Sequence, residues 1–243
     1  MTSDPNSPHS SPGGEALPPE FDREMTVEEF LAVRLDLPEA GQWAELEAGR
    51  VCLRPPPEVA QGDVVGNLMR EASAVAGGMT GLPIFRTPVQ VAATTVRQPA
   101  MSWVSPEVGF GAVDAAVLQA PPRWVVEIAG SRPLRDAMAD RVRDWLAFGV
   151  ELVWVVDPDE RRVHRITESG AHEAGNDATL TGDPVVPSLS FSVDDLFREP
   201  DSWLGRSTSD DADSADEEEG GEREPRTDER EGDHRSNGAA RGS

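Results

Sequence analysis

Two apolar runs organise the chain: WVVEI (Trp124–Ile128), broken only by Glu127, and LVWVV (Leu152–Val156). Between them Met138, Val142, Trp145 and Phe148 recur at helical spacing, and Gly149 stands where a helix stop belongs. The runs predict strands buried on both faces, as parallel strands are, the second ending at Asp157-Pro158. Strand, helix and strand in that order predict a right-handed crossover with the helix laid over the sheet. Glu127 then lies near the end of a buried strand, where an ionised carboxylate needs a partner or a metal. Arg141, three residues after Met138 and four before Trp145, borders the helix face that looks at the sheet. Two opposite charges are therefore expected in one protected corner.

The remaining pattern is more local. Thr26-Val-Glu-Glu29 matches a capping box and predicts a short helix through about Val33. WAELEAG followed by RVCLRP reads as a hairpin turning at Ala48-Gly49, with Glu45 on its first arm. Val64, Leu68, Ala72 and Val75 predict a helix from Glu58 to Ala76, stopped by Gly77-Gly78. Pro83 to Ala93 and Val104 to Phe110 are expected as strands. After the central unit RVHRI alternates and predicts an antiparallel edge strand. Residues 167–183 read as loops with a hairpin, and Ser192 caps a last helix containing Leu196 and Phe197.

Composition sets the limits of this picture. The 243 residues suit one ordinary domain flanked by tails. Residues 1–24 are rich in Pro, Ser and Gly and residues 205–243 in acids, the last 37 holding 13 acids against five arginines. Such segments bury too little apolar surface to offset ordering entropy, so both are expected to be disordered around a domain spanning 25–204. The net charge of −23 argues against broad nonspecific binding to nucleic acid, which needs a surplus of cations. There is no lysine and no tyrosine, and the lone Cys52 excludes an internal disulfide and fits a reducing compartment. No run approaches the ~18 apolar residues of a membrane span, so a cytoplasmic protein without membrane contact is expected.

For chemistry the sequence offers carboxylates. It has no nucleophile elbow, no Walker-type phosphate loop and no Cys/His metal cluster. Glu107, in the strand-like VSPEVGF, and Glu127 are both expected on buried strands, where neighbouring carboxylates could hold Mg²⁺ and activate water on a phosphodiester. The alternative is a buried salt-bridge cluster of these acids with Arg141. Trp103, Trp124, Trp145 and Trp154 read as core, and none of the four histidines has a partner at ligand spacing.

The order and spacing of several motifs resemble the Uma-two family of bacterial restriction endonuclease-like proteins, within the PD-(D/E)XK nuclease superfamily. The resemblance runs from about Met25 to Phe197. It is carried by MTVEEFLAV, AELEAGRVC, Pro106-Glu107-Val108, VVEIAGS, the helix from Arg141 through Trp145 to Gly149-Val150, VWVVDP and VPSLSFSVDDLF. It implies an α/β, restriction-endonuclease-like mixed sheet flanked by helices, a Mg²⁺-dependent (or Mn²⁺-dependent) centre, and DNA as substrate. Carried over by position, the metal-binding acids fall on Glu107 and Glu127, the catalytic lysine on Arg141, the acid of the y-E-L pattern on Glu45, and a common histidine on Gln61. The lysine that many nucleases place two residues after the second acid falls on Ala129.

The chain departs from that pattern in chemically important ways. Glutamate for aspartate moves a carboxylate by roughly an ångström, enough to cost around a hundredfold in rate. Arginine for lysine exchanges a compact ammonium for a planar fork suited to carboxylates. Two functions are therefore expected to compete. One is DNA hydrolysis with Glu107 and Glu127 on the metal, Arg141 stabilising charge and Glu45 assisting. The other is a catalytically inactive nuclease-fold module that binds a protein partner through its acidic surface or tail, with a homodimer also open.

Overall fold

The computed structural model describes residues 17–37, 44–54, 58–76, 81–108, 116–130 and 132–199. The expected acidic tail, most of the expected N-terminal tail, Gly77-Gly78 and Phe110 lie outside them. Chain order is α1 (Val27–Val33), the hairpin β1 (Ala44–Glu47) and β2 (Arg50–Leu53), then α2 (Val59–Ala76) and the strands β3 (Leu82–Phe85), β4 (Val89–Ala92), β5 (Thr95–Arg97) and β6 (Met101–Val104). The central unit is β7 (Trp124–Ile128), α3 (Arg132–Phe148) and β8 (Leu152–Asp157), followed by β9 (Arg162–Thr167), β10 (Gly170–Ala174), β11 (Thr179–Gly182), β12 (Val186–Ser192) and the single turn α4 (Val193–Leu196).

The strands form a six-stranded sheet ordered β10-β9-β8-β7-β6-β3, a four-stranded sheet ordered β2-β1-β5-β4, and the pair β11-β12. The crossover expected from the sequence is present: β7 and β8 run parallel, Glu127 opposite Val155, with α3 between them in sequence. The other pairings of the large sheet are antiparallel, so it is mixed. Its faces divide the apolar run by parity. Trp124, Val126 and Ile128 pack with Val64, Leu68 and Ala72 of α2, while Val125 and Ala129 pack with Met138 and Trp145 of α3. On the α2 side Trp124 and Trp154 meet edge to face at 4.6 Å, an arrangement the ring quadrupoles favour.

The small sheet has its own core of Phe30, Leu37, Ala44, Leu46, Val51, Leu53 and Val96. Leu17 and Phe21 pack against it, so the packed body begins before residue 25. Its hairpin turns through positive φ at both Ala48 and Gly49, the geometry that matches strand twist in a two-residue turn. The box at α1 closes in both directions, Glu29 N–H donating to Thr26 Oγ1 at 3.1 Å and Thr26 N–H to the Glu29 carboxylate at 2.8 Å. Thr26→Ala is expected to lower stability by about 1 kcal/mol. A urea titration showing no change would mean that packing of Val27 and Phe30 alone sets this helix.

Three expectations need correction. The run from Pro83 to Ala93 is two strands in different sheets, broken where Arg86 takes φ 51° ahead of Pro88, which has no N–H to donate. The strand expected at Val104 to Phe110 lies earlier, at Met101–Val104, and Pro106–Val108 form one 3-10 turn. RVHRI is not an edge, because β10 folds back beside β9. Alternation reports one solvated face, which an interior antiparallel strand also has.

Candidate functional site

α3 lies where the two sheets approach, and one strand of each aims a carboxylate at it. On β7, Glu127 shares parity with Val125 and Ala129 and therefore faces α3. On β1, Glu45 lies between Ala44 and Leu46 of the small core, so it projects from the opposite face of that sheet. Arg141 on α3 follows Met138 and precedes Trp145 on the buried stripe. Glu127 is 3% exposed, Glu45 1% and Arg141 2%, which makes compensation of their charges a condition of folding.

Arg141 supplies it. Its Nη1 donates to Glu45 Oε2 at 2.5 Å and its Nη2 to Glu45 Oε1 at 3.0 Å. The same Nη2 reaches Glu127 Oε1 at 2.8 Å and Oε2 at 2.9 Å. Trp145 Nε1–H donates to Glu127 Oε1 at 2.7 Å. Glu45 is held further by Arg54 Nε at 2.8 Å and by the Gln98 backbone N–H at 2.7 Å. Outside this ring Arg97 bridges Asp144 of α3 at 2.7 Å and Glu47 of β1 at 3.0 Å. Arg86 is half-buried, with Glu127 and Glu45 acting on its charge.

The electrostatics follow from these distances. Burial alone would raise the Glu45 carboxyl, but Arg141, Arg54 and Arg97 outweigh it and hold the group well below the usual carboxylate range. Burial would lower Arg141, and Glu127 with Glu45 reverses that and raises it. Cys52 goes the other way: burial, then the neighbouring Glu47 carboxylate, push its thiol up to about 11, so it is an inert thiol.

The structure thus brings together Glu45, Glu127 and Arg141 and leaves Glu107 apart. Glu107 was expected on a buried strand; it is exposed, on the 3-10 turn after β6. The antiparallel register explains the separation. Trp103 pairs with Trp124, so the chain beyond Val104 leaves past the start of β7, whereas Glu127 lies toward its other end. There Glu107 acts on Arg123. Gln61 comes close to the site's edge, its amide packed on Gly130 so tightly that a Cβ there would lie 1.8 Å from Nε2. Ala129 is buried and brings no charge.

Sequence reasoning missed Arg54, Arg97 and Gln98, and the hydrogen-bonding role of Trp145. Arg54 meets Glu45 across the β1–β2 hairpin, but no spacing rule connects Arg97 on β5 to Asp144 of α3, or the Gln98 N–H to Glu45, because tertiary packing makes those contacts. Trp145 had a signal, since it stands one helical turn after Arg141 and a buried indole N–H seeks an acceptor.

The donor set does not fit a divalent cation. Both Glu45 oxygens receive two hydrogen bonds each, and both Glu127 oxygens face the guanidinium. An added dication would have to displace those N–H groups and sit beside a fixed positive charge. Among the described residues no three His, Cys, Asp or Glu side chains gather as a ligand set. Among the same residues no helix is long and apolar enough to cross a membrane.

Comparison with known proteins agrees with this architecture. The crystal structure of a protein described as a putative nuclease belonging to DUF820, from Anabaena variabilis ATCC 29413, superposes with a TM-score of 0.58 at 19% identity, covering 72% of this chain and 98% of that one. At that identity the likeness is one of fold. No curated protein matches in sequence. A family model, Uma2, described as putative restriction endonuclease, matches residues 27–194. With most of the chain inside that match, the protein belongs to the Uma2 family of putative restriction endonucleases.

Proposed function

We propose that this protein is a nuclease-fold binding module whose carboxylate centre is neutralised by Arg141 in place of a metal, and that it does not hydrolyse DNA. One observation carries the reading: the guanidinium of Arg141 contacts both Glu45 and Glu127 within 2.5–3.0 Å, at a point almost closed to solvent. A phosphodiester has to reach a catalytic group within hydrogen-bond distance, and burial at this level opposes that. Two arginines of α3 are already engaged with acids, which supports the same reading. Arg135 engages Asp157 and Asp159, and Arg143 engages Asp140. The chain as a whole carries a net charge of −23, and the partner such a chain suits is a basic protein.

The second reading is hydrolysis of DNA with Mg²⁺ or Mn²⁺ held at Glu127, with Glu45 assisting and Arg141 stabilising charge. Family membership favours it, as does the convergence of Glu45, Glu127 and Arg141 on one corner. Calorimetric titration of the protein and of Glu127→Gln with Mg²⁺ and Mn²⁺, followed by plasmid nicking with both, separates the two. The expected result is no Glu127-dependent heat and no nicking. Cation binding and nicking that both disappear in Glu127→Gln would overturn the proposal in favour of hydrolysis.

A further inference from the structure

On β9, His164 and Ile166 pair with Val155 and Val153 of β8 and so share the sheet face on which α3 packs, yet both stay half-exposed. Between them and Met138, Ala139 and Val142 of α3 lies a groove of about 450 Å³, within the range of roughly 300–1,000 Å³ usual for ligand sites. Its surface is mostly apolar, and Arg135 and Asp157 join His164 as its polar groups. Two features of those groups are uncompensated. Acids are in surplus, since Asp157, Asp159, Glu160 and Glu173 have only Arg135 and Arg162 among them. Arg135 turns Nη2 to Asp157 and Asp159, while among the described residues its buried Nε–H meets no acceptor. A buried donor without an acceptor is a free-energy cost that an incoming oxygen removes.

We infer that the groove between α3 and β9 is where a basic partner protein docks, and that it takes an extended segment with a large apolar side chain flanked by arginines or lysines. The apolar side chain fills the groove, as anchor residues do at the centre of an interface. A main-chain carbonyl of the segment accepts from Arg135 Nε, and the flanking cations meet the surplus acids. An extended segment is required because carbonyls within a helix are already bonded to their own amides. The same acids argue against other occupants. A nucleic acid needs a cationic rim, and a second copy of this chain brings a net charge of −23 against an acidic one. The inference rests on the reading of this chain as a module for a basic protein, and it assigns that partner a place and a chemistry.

The test titrates the full chain into a fluorescein-labelled, amidated peptide, Arg-Arg-Leu-Phe-Arg-Arg, and follows anisotropy at about 0.15 M salt, where weak surface attraction is largely screened. A peptide with Ser-Ser in place of Leu-Phe controls for charge alone. The expected Kd for the apolar peptide is about 10 µM to 1 mM, at least about tenfold tighter than for the serine peptide. Ala139→Arg, at an exposed helix position, fills the groove with a like charge and is expected to weaken the apolar peptide about tenfold or more. Arg135→Lys keeps the charge but removes the Nε donor, and is expected to weaken it about three- to tenfold. If Ala139→Arg does not fold, Ile166→Thr, which keeps a β-branched side chain in β9 and removes apolar lining, takes its place with a loss of at least about threefold. No binding, equal binding of the two peptides, or binding that survives the groove variants would overturn the inference. So would a native chain that sediments as a dimer and an Ala139→Arg variant that sediments as a monomer, because a second copy then fills the groove. Failure of the preceding reading is seen elsewhere, as Glu127-dependent cation binding and nicking by the native protein.

Discussion

Arg141→Ala is expected to lower the unfolding free energy by about 3–5 kcal/mol, a large fraction of the stability of a domain this size. The cost does not measure the worth of the ion pairs themselves. It arises because Glu45 and Glu127, both nearly inaccessible, lose the group that donates to all four of their oxygens. A companion variant distinguishes these two contributions. Arg141→Met together with Glu127→Gln removes the guanidinium and one of the two stranded charges, so it is expected to be more stable than Arg141→Met alone. Urea unfolding of the set measures this. If Arg141→Ala unfolds at the native midpoint, water reaches the corner freely and the buried cluster is not a structural element.

Glu45→Gln is expected to cost about 3 kcal/mol at neutral pH, because it strips an anion from Arg141, Arg54 and Arg97 together. Its pH dependence carries the sharper signature. The folded-state pKa of Glu45 is depressed below the ordinary value of 4.5. A depressed carboxylate contributes its stability fully above the unfolded-state value and loses it as pH falls toward the folded-state value. The gap in unfolding free energy between native protein and Glu45→Gln should therefore be constant from pH 7 to about pH 5. Below about pH 4.5 it should shrink, by at most ~1.4 kcal/mol for each pH unit. A gap that narrows between pH 7 and 5, or one that widens in acid, would contradict the placement of Glu45 among three arginines.

The cluster also explains why the arginine-for-lysine difference matters here. A lysine ammonium could meet the oxygens around Nη2, but it has no second nitrogen to reach Glu45 Oε2 as Nη1 does. The fork spans two carboxylates on different sheets and ties α3 to both. Arg97, linking Asp144 of α3 to Glu47 of β1, adds another tie of the same kind.

Much of this was legible in the residues themselves. The apolar runs around Glu127 and at Leu152–Val156, with a 3.6-residue stripe between them, determined the parallel crossover and the burial of both Glu127 and Arg141, because period and continuity of apolar side chains are local properties of a chain. Caps at Thr26 and Ser192 and the Ala48-Gly49 turn were readable for the same reason. Tertiary structure alone decided the rest. Whether Pro83 to Ala93 is one strand or two in separate sheets depends on which partners each half meets, and composition does not encode that. Glu107 and Glu127 were both expected on buried strands, but Glu107 lies on the turn after β6, and the antiparallel register of β6 and β7 carries it past the start of β7 and away from Glu127. Glu45, some eighty residues before Glu127, becomes its companion only when the small sheet packs beside α3, and Arg141 becomes their shared cation because its guanidinium donates to both carboxylates where they meet.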